Sequence, residues 1–166
     1  MTQPRIETKR HLYSNAQTHS NERTQAEQAE QEAAAFLRTI NDLQQRGDVA
    51  GLVRGMSTYA SHSGVQQEGC RALVNLARNA ENKIKIAKEG GIKVVMDAMV
   101  NHISHAGVQE QGCWALLNIG WSQKDLQKKI KNEGAQTLVE KAMKASNASA
   151  ITKEKGQQLL DRLGGV

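Results

Sequence analysis

The chain repeats itself, and the repeat length constrains its fold more than any other feature. The stretch GVQEQGCWALLNIGW from Gly107 to Trp121 is a near copy of GVQQEGCRALVNLAR from Gly64 to Arg78, displaced by 43 residues. Gly64 and Gly107, Val65 and Val108, Gly69 and Gly112, Cys70 and Cys113, Ala72 and Ala115, Leu73 and Leu116, and Asn75 and Asn118 are matched pairs. The same displacement brings Met56 onto Met99 and His62 onto His105. A period of roughly 20 to 50 residues marks units that cannot bury an apolar face alone and must stack on their neighbours.

The period is filled with helix formers. Aromatic residues make up 3% of the chain and there is one proline. Ala, Leu, Gln and Lys lose little freedom in a helix, whereas a sandwich of strands needs β-branched and aromatic residues. Within one unit, ENKIKIAKEGG from Glu81 to Gly91 reads as a short helix closed by glycine, the residue that enters the left-handed region at no steric cost. GIKVVMDAMVNH then reads as a second helix, and Ser104 to Trp121 as a longer third. A fainter last copy places Leu159, Leu160 and Leu163 where Ala115, Leu116 and Ile119 stand in the unit before.

Three boundaries follow. Residues 1–23 are polar, lack periodicity and contain the single proline, so they are expected to form a flexible tail. Residues 24–46 carry Ala26, Ala29, Ala33, Phe36, Ile40 and Leu43 as one apolar seam on a Gln- and Glu-rich helix. This helix is expected to cap the first unit, with self-pairing as the rival. Residues 47–163 form the repeats, in units of about 47–79, 80–122 and 123–163.

Three helices per unit, the glycine turn Glu89–Ile92 and the motif Ala72-Leu73-Val74-Asn75-Leu76-Ala77 resemble the armadillo repeat. Ala115-Leu116-Leu117-Asn118-Ile119-Gly120 departs from that motif only at its last position. The resemblance implies an all-α fold, a right-handed α-solenoid of armadillo-like repeats led by the N-terminal capping helix.

The third helix of each unit has two faces. Val65, Gly69, Ala72, Leu73 and Leu76, with Val108, Gly112, Ala115, Leu116 and Ile119, recur at helical spacing and form the packing face. A mid-helix glycine costs about 1 kcal/mol relative to alanine, so its return at Gly69 and Gly112 predicts a close approach by another helix. Opposite lie Arg71, Asn75 and Arg78 in one unit, and Gln111, Trp114, Asn118 and Trp121 in the next. Both tryptophans of the protein share that second row with a polar amide, which is not how a core is filled. Stacking would turn the rows into a ladder on one concave surface. The armadillo resemblance implies that Asn118 clamps the main chain of an extended peptide while Trp114 flanks a side chain. Asn75 keeps the clamp, but Arg71 replaces its tryptophan, and in the last unit Gln158 and Arg162 replace both members of the pair. The competing expectation is that the asparagines hold the protein's own loops and the tryptophans cover a neighbouring helix.

Charge and titratable residues narrow the classes further. A net charge of +5 favours acidic partners of some kind, while the more ordinary reading is a small surplus of lysine that keeps a protein soluble. Lys83, Lys85 and Lys88 recur in phase with Lys128, Lys129 and Lys131, predicting a basic stripe away from the third-helix groove. Such a stripe can meet acidic protein, membrane surface or nucleic acid, but it lacks the interleaved aromatics of a single-strand binder, so solvated surface is the preferred reading. Cys70 and Cys113 lie on inward-leaning stretches and read as buried apolar residues of a reducing compartment, not a disulfide. His62, His102 and His105 have no partner at zinc-ligand spacing, and no phosphate-binding glycine loop follows a strand. No catalytic residue, metal or cofactor is expected, and no segment is apolar enough for a membrane span. The expectation is a non-catalytic adaptor of the cytoplasm or nucleus that binds protein or peptide. It acts alone, as a homo-oligomer, or as a structural subunit of a larger complex.

Overall fold

The computed structural model describes the backbone of residues 5–166 and the side chains of residues 21–166. Among the described residues the fold is all-helical, with no strand. The helices are α1 (Arg5–Gln45), α2 (Val49–Thr58), α3 (Ser63–Leu76), α4 (Ala80–Lys88), α5 (Gly91–Asn101), α6 (Ala106–Gly120), α7 (Lys124–Asn132), α8 (Ala135–Lys144) and α9 (Ala150–Gly164). The chain divides into two compact units, residues 1–35 and residues 36–166.

Helix α1 is longer than the apolar pattern indicates. It begins at Arg5, not near Thr24; residues 1–4 lie outside the described residues. Between Pro4 and Gly47 the sequence has neither proline nor glycine, so no strong breaker stands in residues 5–23, although their Ser, Asn, Thr and His are weak helix formers. Ala26 and Ala29, expected in the apolar seam, are exposed. Further along the seam, Ala33 is buried. Ile40 is buried, and Phe36 stacks at 5.4 Å from the ring of Tyr59. Phe36 also lies so close over Gly55 that a Cβ there would meet its ring at 1.8 Å.

Helix ends are fixed by local chemistry. Gly47, Gly90 and Gly134 take φ values of 65°, 82° and 86°, the left-handed region that stops α1, α4 and α7. Asp48 caps α2 by accepting from the Gly51 N–H at 2.9 Å, and Ser149 caps α9 by accepting from the Thr152 N–H at 3.0 Å. His62 and His105 do the same for α3 and α6, their Nδ1 atoms accepting from Val65 N–H at 3.1 Å and Val108 N–H at 3.3 Å.

Packing follows the repeat. Helix α3 lies against α6 and α6 against α9, while α5 packs on α6 and α8 on α9. The mid-helix glycines accommodate methionine: a Cβ at Gly69 would fall 2.6 Å from Met56, one at Gly112 2.4 Å from Met99, and one at Gly156 2.7 Å from Met143. The close neighbour is therefore one side chain on the preceding helix, not that helix's backbone. Buried glutamines join the same helices. Gln66 Nε2 donates to the carbonyls of Met56 (2.9 Å) and Tyr59 (2.8 Å), and Gln109 Nε2 to those of Met99 (2.8 Å) and His102 (2.9 Å). Each donates to one carbonyl in the last turn of the preceding helix and to one just beyond it, the latter also accepting from a backbone N–H of the following turn.

Candidate binding groove on α3, α6 and α9

The face of α6 opposite its packing residues holds the predicted row. Seven-residue spacing from Trp114 to Trp121, with Asn118 between, sets all three on one side of the helix. Their surroundings differ. Trp114 is half-buried and packs against the core, with Lys155 Nζ 5.3 Å from its ring centroid. Trp121 is 43% exposed, and the Arg162 guanidinium lies 3.5 Å from its ring centroid. Both cations come from α9, so each indole has a basic group on one side. Gln111 donates to its neighbour Glu110 at 3.1 Å.

Asn118 Nδ2 donates to the carbonyl of Val74 at 3.0 Å, joining α6 to the last turn of α3. One N–H and the carbonyl oxygen of a carboxamide can still pair elsewhere. Asn75 Nδ2 donates to Gln44 Oε1 of α1 at 3.1 Å. Both amides thus make internal bonds, but to neighbouring helices and not to the loops of the competing expectation, and each retains further hydrogen-bonding capacity. Arg71 pairs with Glu68 one turn before it, its Nε donating at 2.8 Å. Arg78 is exposed just beyond α3.

These groups surround an open cleft of about 390 Å³ lined by Ala77, Arg78, Lys83, Trp114, Asn118 and Trp121. The C-terminal ends of α3 and α6 meet there. Ser122, next to Trp121, has φ of 60°, a left-handed conformation costing a non-glycine residue about 1 kcal/mol or more. That turn carries the chain out of α6 beside the cleft.

Lys83 corrects the expected stripe. It lies in the groove, not away from it: it is 8% exposed, and its Nζ donates to the carbonyl of Trp121 at 2.6 Å. Desolvation lowers its pKa from the ordinary lysine value. Other members of the stripe are drawn to neighbouring backbone. Lys85 donates to Gly47 O at 3.2 Å, Lys129 to Ala87 O at 3.1 Å and Lys131 to Val166 O at 2.5 Å. These carbonyls lie in or just beyond the last turns of helices, where a cation complements the backbone dipole and an apolar stem runs along the surface. Lys88 and Lys128 are exposed.

Cys70 and Cys113 are free and buried, and burial pushes both thiols up to about 12, with the proximity of Cys113 adding to the effect on Cys70. Such thiols are not nucleophiles near neutrality. His62 and His105 act as caps, and His102 Nε2 bonds Ala60 O at 2.8 Å. Among the described residues no cluster of three His, Cys, Asp or Glu side chains is placed to hold a metal ion, and no helix is long and apolar enough to cross a membrane.

Three groups at the groove are not assigned to it by sequence reasoning. Lys83 belongs by phase to the stripe, while Lys155 and Arg162 stand in the last unit at places where neither motif nor spacing predicts a cation over an indole. The one available signal is the phase. Gln158 and Arg162 take the places of Trp114 and Asn118 at a displacement of 44 residues, one more than between the first two units. That alignment puts Arg162 on the open row but does not say which ring it covers. Comparison with protein-family models, with curated proteins and with solved structures finds no match to this chain.

Proposed function

We propose that this chain is a non-catalytic protein-interaction adaptor. Its armadillo-like repeats stack as a right-handed solenoid, and the α3, α6 and α9 face receives an extended peptide segment of a partner. The observation that carries the reading is the convergence of Trp114, Asn118 and Trp121 on one open cleft. A half-buried indole offers an apolar wall, and the carboxamide offers a donor and an acceptor to a peptide main chain whatever its sequence. Buried free thiols suit a reducing compartment, in keeping with an adaptor of the cytoplasm or nucleus.

The rung is short, and the affinity should reflect it. A net hydrogen bond contributes about 0.5 to 1.5 kcal/mol and a desolvated tryptophan about 2 kcal/mol, against several kcal/mol of lost freedom on association. A single short peptide should therefore bind with a Kd of about 1 µM or weaker. The second reading, a structural subunit holding a fixed neighbour through the same face, draws on the internal bonds of Asn75 and Asn118.

Selection from a displayed random-peptide library, followed by titration of the selected peptide, tests the adaptor reading. Asn118→Ala and Trp121→Ala should each weaken the selected peptide severalfold while the folded protein retains its helical circular dichroism. Failure to select any peptide, or binding indifferent to both substitutions, would overturn the reading.

A further inference from the structure

Lys83 is the group in the cleft whose chemistry is least explained by the fold. An ammonium has three donors, and the structure gives Lys83 Nζ one acceptor, the Trp121 carbonyl. The ammonium borders the open cleft, where part of its hydration is lost and the described lining supplies no counter-charge. The depressed pKa registers the same loss. At the equivalent position of the following unit the chain uses the uncharged Gln127, which is also buried and donates to Gly120 O at 2.8 Å. The two side chains join different neighbours: Gln127 reaches back to the helix just before it, whereas Lys83 reaches forward to the end of α6.

The surroundings give that charge a direction. Lys83 lines the cleft with Arg78, and Arg162 lies over Trp121 on the same side of the molecule. Among the described residues, none that lines the cleft is acidic. Cleft walls of indole, with basic groups and no carboxylate, concentrate positive potential where solvent is partly excluded.

We infer that the cleft between the C-terminal ends of α3 and α6 is a subsite for a carboxylate side chain of an acidic peptide, paired by Lys83 and Arg78 and flanked by Trp114 and Trp121. The inference rests on the peptide-adaptor reading and specifies the ligand at one rung. A carboxylate suits the site better than a phosphate. Helices α3 and α6 both end there, and their carbonyl ends, Trp121 O among them, carry partial negative charge that a dianion would meet more unfavourably than a monoanion. Charge complementarity also selects an acidic peptide over the basic or apolar segments that an indole-lined groove alone would admit.

Three libraries of short peptides, degenerate except for a fixed central Glu, Gln or phosphoserine, would be passed over the immobilised full chain, with retention read by mass spectrometry. The Glu library should be retained about tenfold more than the Gln library, the effect of one charge-assisted pair. That preference should vanish in Lys83→Met and shrink severalfold in Arg78→Gln, an exposed position whose substitution leaves the fold intact. Equal retention of Glu and Gln peptides, a preference that survives Arg78→Gln undiminished, or stronger retention of phosphoserine peptides would each overturn the inference. If Glu and Gln peptides are retained equally and Asn118→Ala releases both, the adaptor reading stands and the carboxylate subsite falls. If no library is retained while a short single-stranded oligonucleotide binds and Arg78→Gln weakens it, both fall and the cleft serves nucleic acid.

Discussion

Helices α3 and α6 carry nearly the same sequence and face the same neighbours on one side, yet differ on the other. On the packing side the correspondence is close: Gly69 makes room for Met56 as Gly112 does for Met99, Gln66 and Gln109 close the preceding helix, and His62 and His105 start each helix. On the open side, Arg71 pairs with its own helix through Glu68, whereas Trp114 reaches the core and a lysine of α9. Asn75 bonds a side chain of α1; Asn118 bonds the backbone of α3. The packing side is held constant because each residue there completes a neighbour's volume or hydrogen bonds. The open side has no such obligation, and its differences are where a binding specificity can reside.

The equivalence of the packing sides should break most visibly under overpacking. Gly69→Leu and Gly112→Leu should each destabilise the protein by about 3 kcal/mol, the upper end of the usual cost. Urea denaturation would measure it. A large loss at one position with none at the other would show that the two units are packed differently after all.

The open sides should diverge under truncation. Trp114→Ala should cost about 1 to 2 kcal/mol, since the half-buried indole gives up apolar contact, while Arg71→Ala should stay within about 0.5 kcal/mol as exposed ion pairs usually do. This revises the expectation that Trp114 stands free of the core. Binding tests therefore belong to Asn118 and Trp121, whose loss costs the fold less. Equal effects at Trp114 and Arg71 would erase the distinction between the rows.

How much of this was legible in the sequence depends on what a residue contacts. The helices and the two-faced third helix were readable because a repeat displays its packing positions twice. The glycine turn at Gly90 was readable from steric allowance alone. The start of α1 was not, because residues 5–23 show no apolar period and carry Ser, Asn, Thr and His, and such a segment looks like a tail. Lys83 groups in sequence with Lys85 and Lys88 because adjacency along the chain resembles adjacency in space. Only the fold shows that Lys83 faces inward to the end of α6 while Lys88 faces out. Arg162 over Trp121 is a contact between distant residues in two different repeats, which no local pattern encodes.

Cys70 and Cys113 sharpen the comparison from within the core. Both thiols are pushed up to about 12 from 9.0 by burial. A raised folded-state pKa means that the neutral thiols contribute stability that is fully present below pH 9 and is lost as pH climbs through about 12, as thiols ionise first in the unfolded chain. Chemical denaturation across that window should show a steeper alkaline loss for the native sequence than for the Cys70→Ala, Cys113→Ala double variant. Identical alkaline profiles would contradict buried, protonated thiols. The smallest effect should come from Lys88→Ala and Lys128→Ala, exposed positions at which stability and peptide binding should both change by less than about 0.5 kcal/mol; a large salt-dependent loss of partner binding would move the functional surface to the stripe.

The two indoles make the central claim directly observable. In a nitrogen-15-labelled sample, Trp114 and Trp121 each give a separate side-chain N–H resonance, assignable from Trp121→Phe. Titration with a peptide selected on the full chain should shift both indole signals and the Asn118 side-chain amide, and leave the backbone signals of Lys88 and Lys128 in place. Saturable binding that moves the Lys88 and Lys128 signals while both indoles stay still would contradict a peptide groove on α6.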